Sequence, residues 1–257
     1  MFSTYPVVDA QIASTSRAEA VEELTRRAGA GEGGYACFVN AHVSVMTRQR
    51  VDIRSAILDA TFAFPDGMPV YLTGKYLYGM QNEKISGPDF LERVFSCDKG
   101  RRLRHYFYGS TPEVLDKLVT SLQEKYSGCN IVGAFSPPFK ALSDEEKQSH
   151  INAILDSGAQ MVWVGLGAPK QELWMQENAP ALPRSILLGV GAAFDFHAGL
   201  LDRAPSWAQR WGLEWLHRLI QEPRRLIGRY AETNTLFLWY TAKAQLGRLF
   251  GRNKRPK

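Results

Sequence analysis

Residues 161–175, MVWVGLGAPKQELWM, constrain the fold more than any other stretch of the chain. Residues 161–164 are an apolar run of strand formers, Gly165 and Gly167 interrupt it, and Pro169 stands where the first turn of a helix tolerates a missing N–H. The reading is strand, tight glycine turn, helix. Glycines let a backbone approach a ligand closely, and the N–H groups of a first helical turn carry partial positive charge. Such a turn can cradle a phosphate or a polar sugar group, with Lys170 and Gln171 at its mouth. It can equally be an ordinary connection that binds nothing.

The same alternation recurs along the chain. Residues 5–12 suit a small hairpin and 17–30 have helical spacing; 35–39 read as a buried strand closed by Asn40, and 42–60 as helix in two pieces. Residues 61–64 form a strand ending in Pro65-Asp66-Gly67, after which 68–78 are helical again. A helix begins near Pro88, and 105–108 are a strand leading into Gly109. Ser110 with Glu113, and Ser143 with Glu146, have capping-box spacing. Residues 130–134 and 186–190 supply further strands, the second running into GVGAAFDFHAG. The fold class is therefore α/β: a Rossmann-like parallel sheet with helices on both faces, over residues 1–202. Ligands of such sheets sit at the carboxyl ends of the strands. Asn40, Asp66, Gly109, Gly165 and Gly191 all fall there.

From Pro205 the texture changes to a C-terminal helical appendage, expected over residues 203–257, in which Trp207, Trp211, Trp215 and Leu219 recur at helical spacing. It holds 12 Lys and Arg against 3 Asp and Glu, whereas the preceding residues hold 19 against 23. A basic module on a mildly acidic body suits an anionic surface, either a membrane leaflet or nucleic acid, or merely a solubilising face. The tryptophans are expected to be core where the tail packs on the body; a place at a membrane interface is the alternative. No apolar run approaches the roughly 20 residues that span a bilayer, and the amino terminus lacks a signal pattern. Cys37, Cys97 and Cys129 match no metal or redox spacing and read as reduced, mostly buried thiols.

Among residues that could do chemistry, Asp66 stands out. Pro65 and Gly67 fix its direction on the ligand edge, where a carboxylate can take a proton from a hydroxyl nucleophile. Its bland reading is an N-cap. Asp89 suits the start of its helix, and Asp195, beside the GVGAA turn, could accept from a ribose hydroxyl. The five histidines show no paired spacing and no Asp-x-Asp is present, so neither metal nor cofactor is expected. A diphosphate would then need cations, with Lys84, Lys170 and tail arginines the candidates. GLGAPK lacks the third glycine of a dinucleotide fingerprint.

With Asn40-Ala41, Pro65-Asp66-Gly67, Ser86-Gly87-x-Asp89, VGLGAPKQE, GVGAAFDFHAG, RAP, GLEWLHRL and EPRRL in that order, the chain resembles the WecG/TagA/CpsF family, glycosyltransferase family 26. The resemblance implies a metal-independent inverting transferase moving a sugar from a UDP-sugar to a polyprenyl-diphosphate-linked sugar, in surface polysaccharide synthesis, as a cytoplasmic protein peripheral on the inner membrane face. It places the general base on Asp66 and donor contacts on Lys84 and Gln171. It implies that the appendage closes over the site, docks on an anionic membrane, and brings Arg218 and Arg225 to the donor diphosphate. Nucleic acid is not an expected partner; a homo-oligomer is. Phe38 stands where some members have threonine, and Lys84 replaces the common arginine, leaving a point charge without a bidentate fork. A nucleotide-dependent oxidoreductase and a non-catalytic, membrane-associated nucleotide sensor remain as other readings of the same sheet edge.

Overall fold

A computed structural model describes residues 2–205, 207–208, 211–221 and 223–251; the side chains of Arg218, Arg225, Leu226, Arg229 and residues 247–251 lie outside the described set. The chain opens on an antiparallel hairpin, β1 (Ser3–Val7) and β2 (Ala10–Ser14). Helix α1 (Arg17–Ala30) follows, opened by a Ser16–Glu19 capping box and closed by Gly31 in the left-handed conformation. Then come β3 (Gly34–Val39), α2 (Ala41–Gln49), α3 (Val51–Leu58), β4 (Phe62–Pro65) and α4 (Met68–Leu72), which runs on into a π-helical turn, Thr73–Leu77. Next are α5 (Gly87–Ser96), α6 (Asp98–Arg101), β5 (Arg104–Gly109), α7 (Pro112–Lys125), β6 (Asn130–Phe135) and α8 (Asp144–Asp156). The body ends with β7 (Met161–Gly165), α9 (Lys170–Asn178), β8 (Ile186–Gly189) and α10 (Ala193–His197). A short tail helix, Glu214–Gln221, and a long one, Pro223–Gly251, complete the described chain.

Strands β3 to β8 form one parallel sheet in the order β4-β3-β8-β7-β5-β6. Side chains alternate across it, as a two-residue period requires. Ala36, Phe38, Met161, Trp163, Ile186 and Leu188 face one core with α1, α5, α7 and α10. Tyr35, Cys37, Val39, Val162, Val164 and Leu187 face the other, with α2, α3, α8, α9 and the hairpin. Both faces are buried, which is why the strands read as continuous apolar runs.

Trp163 is the largest fully buried side chain. Phe90, Phe95 and Phe107 surround it at centroid distances of 6.2–6.4 Å. Its indole N–H donates to His105 Nδ1 at 3.1 Å, so the opposite nitrogen, 3.0 Å from the Gly100 carbonyl, carries the imidazole proton. Burial lowers the His105 pKa to about 4, which keeps that ring neutral.

Four local expectations change. Thr111, not Ser110, caps α7, accepting from the Val114 N–H; Ser110 instead holds a positive φ of 60° at the strand end, outside the helix, so no Ser110–Glu113 box forms. Pro169 lies one residue before α9, at its N-cap position. The tail tryptophans are not core: Trp207, Trp211 and Trp215 are 60%, 77% and 42% exposed. The long tail helix lies on α2 through later residues, with Phe237 buried and Thr233 Oγ1 3.2 Å from His42 Nδ1, and this contact leaves the earlier indoles outside. All three cysteines are free; Cys37 is buried, while Cys97 and Cys129 are only half-buried.

Candidate active site

The carboxyl ends of the strands open into one cleft of about 1310 Å³. Parallel pairing brings every strand end to the same edge, so residues far apart in sequence converge there. Asn40, Asp66, Lys84, Gly165, Gly167, Lys170, Gln171, Gly191 and Asp195 all line it. Gly109 does not, although its neighbours Tyr108 and Ser110 do. Arg218 and Arg225 fall in the two tail helices, but their side chains lie outside the described residues.

Asn40 caps α2, its Oδ1 accepting from the Val43 N–H at 3.1 Å. Beside it, the Asp66 N–H donates to the Val39 carbonyl at 3.0 Å, continuing the β3–β4 pairing one residue beyond the strand. Gly67 takes a φ of 79° and itself occupies the N-cap position of α4, where no side-chain cap is made. The N-cap position read for Asp66 is therefore taken by Gly67, and Asp66, one residue earlier, lines the cleft. The hairpin buttresses this segment from behind. Tyr5 donates its hydroxyl proton to the Val70 carbonyl and accepts from Asn82 Nδ2.

Lys84 is brought alongside by the Ile85 N–H, which donates to the Pro65 carbonyl at 2.8 Å. Its ammonium lies 3.3 Å from Glu214 of the short tail helix. Glu214 also pairs with Arg203 at 3.2 Å, and Arg203 pairs with Asp89, which accepts from the Ser86 hydroxyl. Charges thus alternate from Asp89 at the start of α5, through Arg203 and Glu214, to Lys84 in the cleft. Burial alone would raise the Asp89 pKa, but Arg203 and the Ser86 hydroxyl hold it below the usual carboxylate range. Asp89 thus does more than begin its helix. Sequence reasoning gave the Arg203–Glu214 pair no role, because an ion pair between residues 11 apart leaves no periodic signal.

Two turns make the floor. Strands β5 and β7 end so close together that a Cβ on Gly109 would come within 2.6 Å of the Gly165 carbonyl carbon. Ser110 crosses from one to the other, donating its N–H to the Gly165 carbonyl. At the end of β8 the N–H groups of Val190 and Gly191 both donate to the Val164 carbonyl, at 3.0 and 3.3 Å. Lys170 is exposed at the mouth as expected, whereas Gln171 turns inward and is buried. Its Nε2 donates to the Gly189 carbonyl at 2.8 Å and to Glu172 Oε1 at 3.0 Å. One wall carries Tyr108 stacked on Trp174 at 4.5 Å, with the exposed Phe139 on the neighbouring loop. Among the described residues no group of three or more His, Cys, Asp or Glu side chains could hold a metal ion.

Glu172, buried beneath the cleft, had no assigned role in the sequence. Burial pushes its carboxyl up to about 7. Because that lies above the ordinary carboxyl value of the unfolded chain, the native protein binds the extra proton between about pH 4.5 and 7. The contribution is present at low pH and is lost as pH rises through 7. We expect Glu172→Gln to remove it: urea unfolding of wild type and variant should give a stability difference that grows in the variant's favour by roughly 1–3 kcal/mol from pH 5 to pH 8. A pH-independent difference would show that Glu172 titrates normally.

A parallel α/β sheet whose strand ends converge on one cleft puts the candidate ligand site of this class of fold at its carboxyl edge. The model of the family described as "Glycosyl transferase WecG/TagA/CpsF family" matches residues 5–250. The chain belongs to that family, and with it to the glycosyltransferases of cell-envelope polymer synthesis.

Proposed function

We propose that the protein transfers a sugar from a UDP-sugar to a polyprenyl-diphosphate-linked sugar acceptor, with inversion and without a metal. The convergence of Asn40, Asp66, Lys84 and both glycine turns on one cleft carries this reading. The cleft's 1310 Å³ exceeds a typical small-molecule site of roughly 300–1,000 Å³ and leaves room for donor and acceptor together. The Asp66 carboxylate takes the acceptor hydroxyl proton. The acceptor oxygen then attacks the anomeric carbon opposite the departing phosphate, the carbon–oxygen bond to UDP breaks, and the configuration inverts. Negative charge developing on UDP is met by Lys84 and by Arg218 or Arg225, with the glycine turns letting the diphosphate approach the backbone closely. In the free protein Lys84 has Glu214 as counter-ion, and the leaving diphosphate takes that place.

In this reading residues 1–202 are the catalytic unit and 203–257 a docking module for the inner face of an anionic membrane. Among the described residues no helix is long and apolar enough to cross a membrane. Exposed Trp207, Trp211, Trp215 and Trp239, on a basic tail, suit an interfacial contact instead.

A thermal-shift titration with UDP, ADP and NAD, without and then with magnesium, tests the donor class. UDP held at about 100 times its dissociation constant should stabilise the fold by roughly 2.7 kcal/mol, with magnesium adding nothing. A shift with NAD and none with UDP would sink the transferase reading in favour of an oxidoreductase.

A further inference from the structure

We propose that Glu172 is a positioning residue: its carboxyl orients the Gln171 amide, and that amide holds the end of β8 and the Gly191 turn in place as the floor of the donor site. The donor part of this inference rests on the transferase reading above; the clasp itself does not.

Four observations carry it. First, both protons of the Gln171 amide nitrogen are spent, one on the Gly189 carbonyl and one on Glu172 Oε1, which fixes the amide's orientation. Second, the amide runs directly beneath the turn. A Cβ on Gly189 would meet Gln171 Nε2 at 3.2 Å, and one on Gly191 would meet Gln171 Oε1 at 3.4 Å. Third, on the opposite side of the same turn the Val190 and Gly191 N–H groups share the single Val164 carbonyl, and the turn's other backbone bonds, Val190 N–H to the Leu188 carbonyl and Ala193 N–H to the Val190 carbonyl, stay within the turn itself. Fourth, Glu172 is poorly provided for as a structural residue: it is 1% exposed and its Oε2 meets no hydrogen-bond partner. An apolar side chain of similar size would stabilise the core more, because a buried carboxyl with half its hydrogen bonds unmade is a net cost. What the carboxyl supplies, and an apolar group cannot, is an acceptor for the Gln171 amide.

The cleft-facing turn and the stability of the fold should therefore respond oppositely to loss of this carboxyl. In Glu172→Leu at pH 8 we expect the thermal midpoint at or above wild type. The Val190 and Gly191 amides should exchange hydrogen about tenfold faster or more, and UDP should bind about tenfold more weakly. Glu172→Gln keeps an acceptor at the same place and should restore both exchange and affinity to within about twofold. Wild-type exchange at Val190 and Gly191 in Glu172→Leu overturns the proposal, as does a failure of Glu172→Gln to restore it. Accelerated exchange in a protein whose wild type binds no UDP supports the clasp and removes the donor reading instead. Should the leucine variant not fold, Glu172→Met makes the same deletion with an unbranched chain.

Discussion

Asp66→Asn is expected to lower turnover by about 10²- to 10⁴-fold, the range that a positioned general base commonly contributes. The substitution is isosteric and removes the charge while keeping the shape. The backbone bond from the Asp66 N–H to the Val39 carbonyl and the glycine conformation at Gly67 do not depend on the carboxylate, so the fold should persist. UDP affinity should change little, because a base acting on the acceptor is not a donor contact. Initial rates with saturating donor and lipid-linked acceptor, a UDP binding isotherm and a melting curve together separate the cases. Near-wild-type turnover with an intact fold removes Asp66 from the base role. Lost turnover with equally lost UDP binding would mean that Asp66 serves the donor and that another group takes the proton.

The second large effect concerns stability. Trp163→Ala should cost about 3–5 kcal/mol, the usual range for emptying a buried tryptophan site. The indole is wholly buried among three phenylalanines, so little can collapse into the space. His105 Nδ1 would also lose its donor inside the core, and the neutral ring, with its pKa near 4, would not charge to recover the loss. Chemical denaturation at neutral pH measures it, and a midpoint fall of roughly 10 °C should accompany it. A loss under about 1 kcal/mol would mean that the aromatic cluster repacks, contrary to the tight packing of protein cores. Trp163→Phe, which keeps most of the volume but not the N–H, isolates the His105 bond.

Much of this was legible in the sequence, for identifiable reasons. Strands buried on both faces announce themselves as apolar runs, and β3, β5, β7 and β8 were read within a residue or two. Helices with strong caps were equally plain: α1 occupies the whole predicted span, and the Ser143–Glu146 box opens α8. Where two caps compete, spacing misleads. Ser110 and Thr111 both suit a cap, and the choice is made by the close approach of Gly109 and Gly165, a tertiary fact. The rule that ligands meet strand ends groups Asn40, Asp66, Gly109, Gly165 and Gly191 at one edge, and all but Gly109 line the candidate cleft. Side-chain direction was not legible. Gln171 follows Lys170 immediately, yet one points to solvent and the other into the core. Arg203, Glu214 and Glu172 were missed because each acts through a partner remote in sequence or buried beneath a loop. The tail tryptophans erred the other way: helical spacing implied a buried stripe, whereas one face of the long helix suffices to hold it on α2.

The contact between Gly109 and Gly165 leaves no space for even a methyl group on the first of them, and a Cβ on the second would strike the Phe194 ring at 2.5 Å. The base of the cleft is consequently a poor place for change. Space for added side-chain volume lies instead at Gly167, where a Cβ meets nothing within 4 Å, and along the rim, where the loop around Phe139 is exposed. The chain thus sets a tightly packed base at these two strand ends beneath a rim of more exposed side chains.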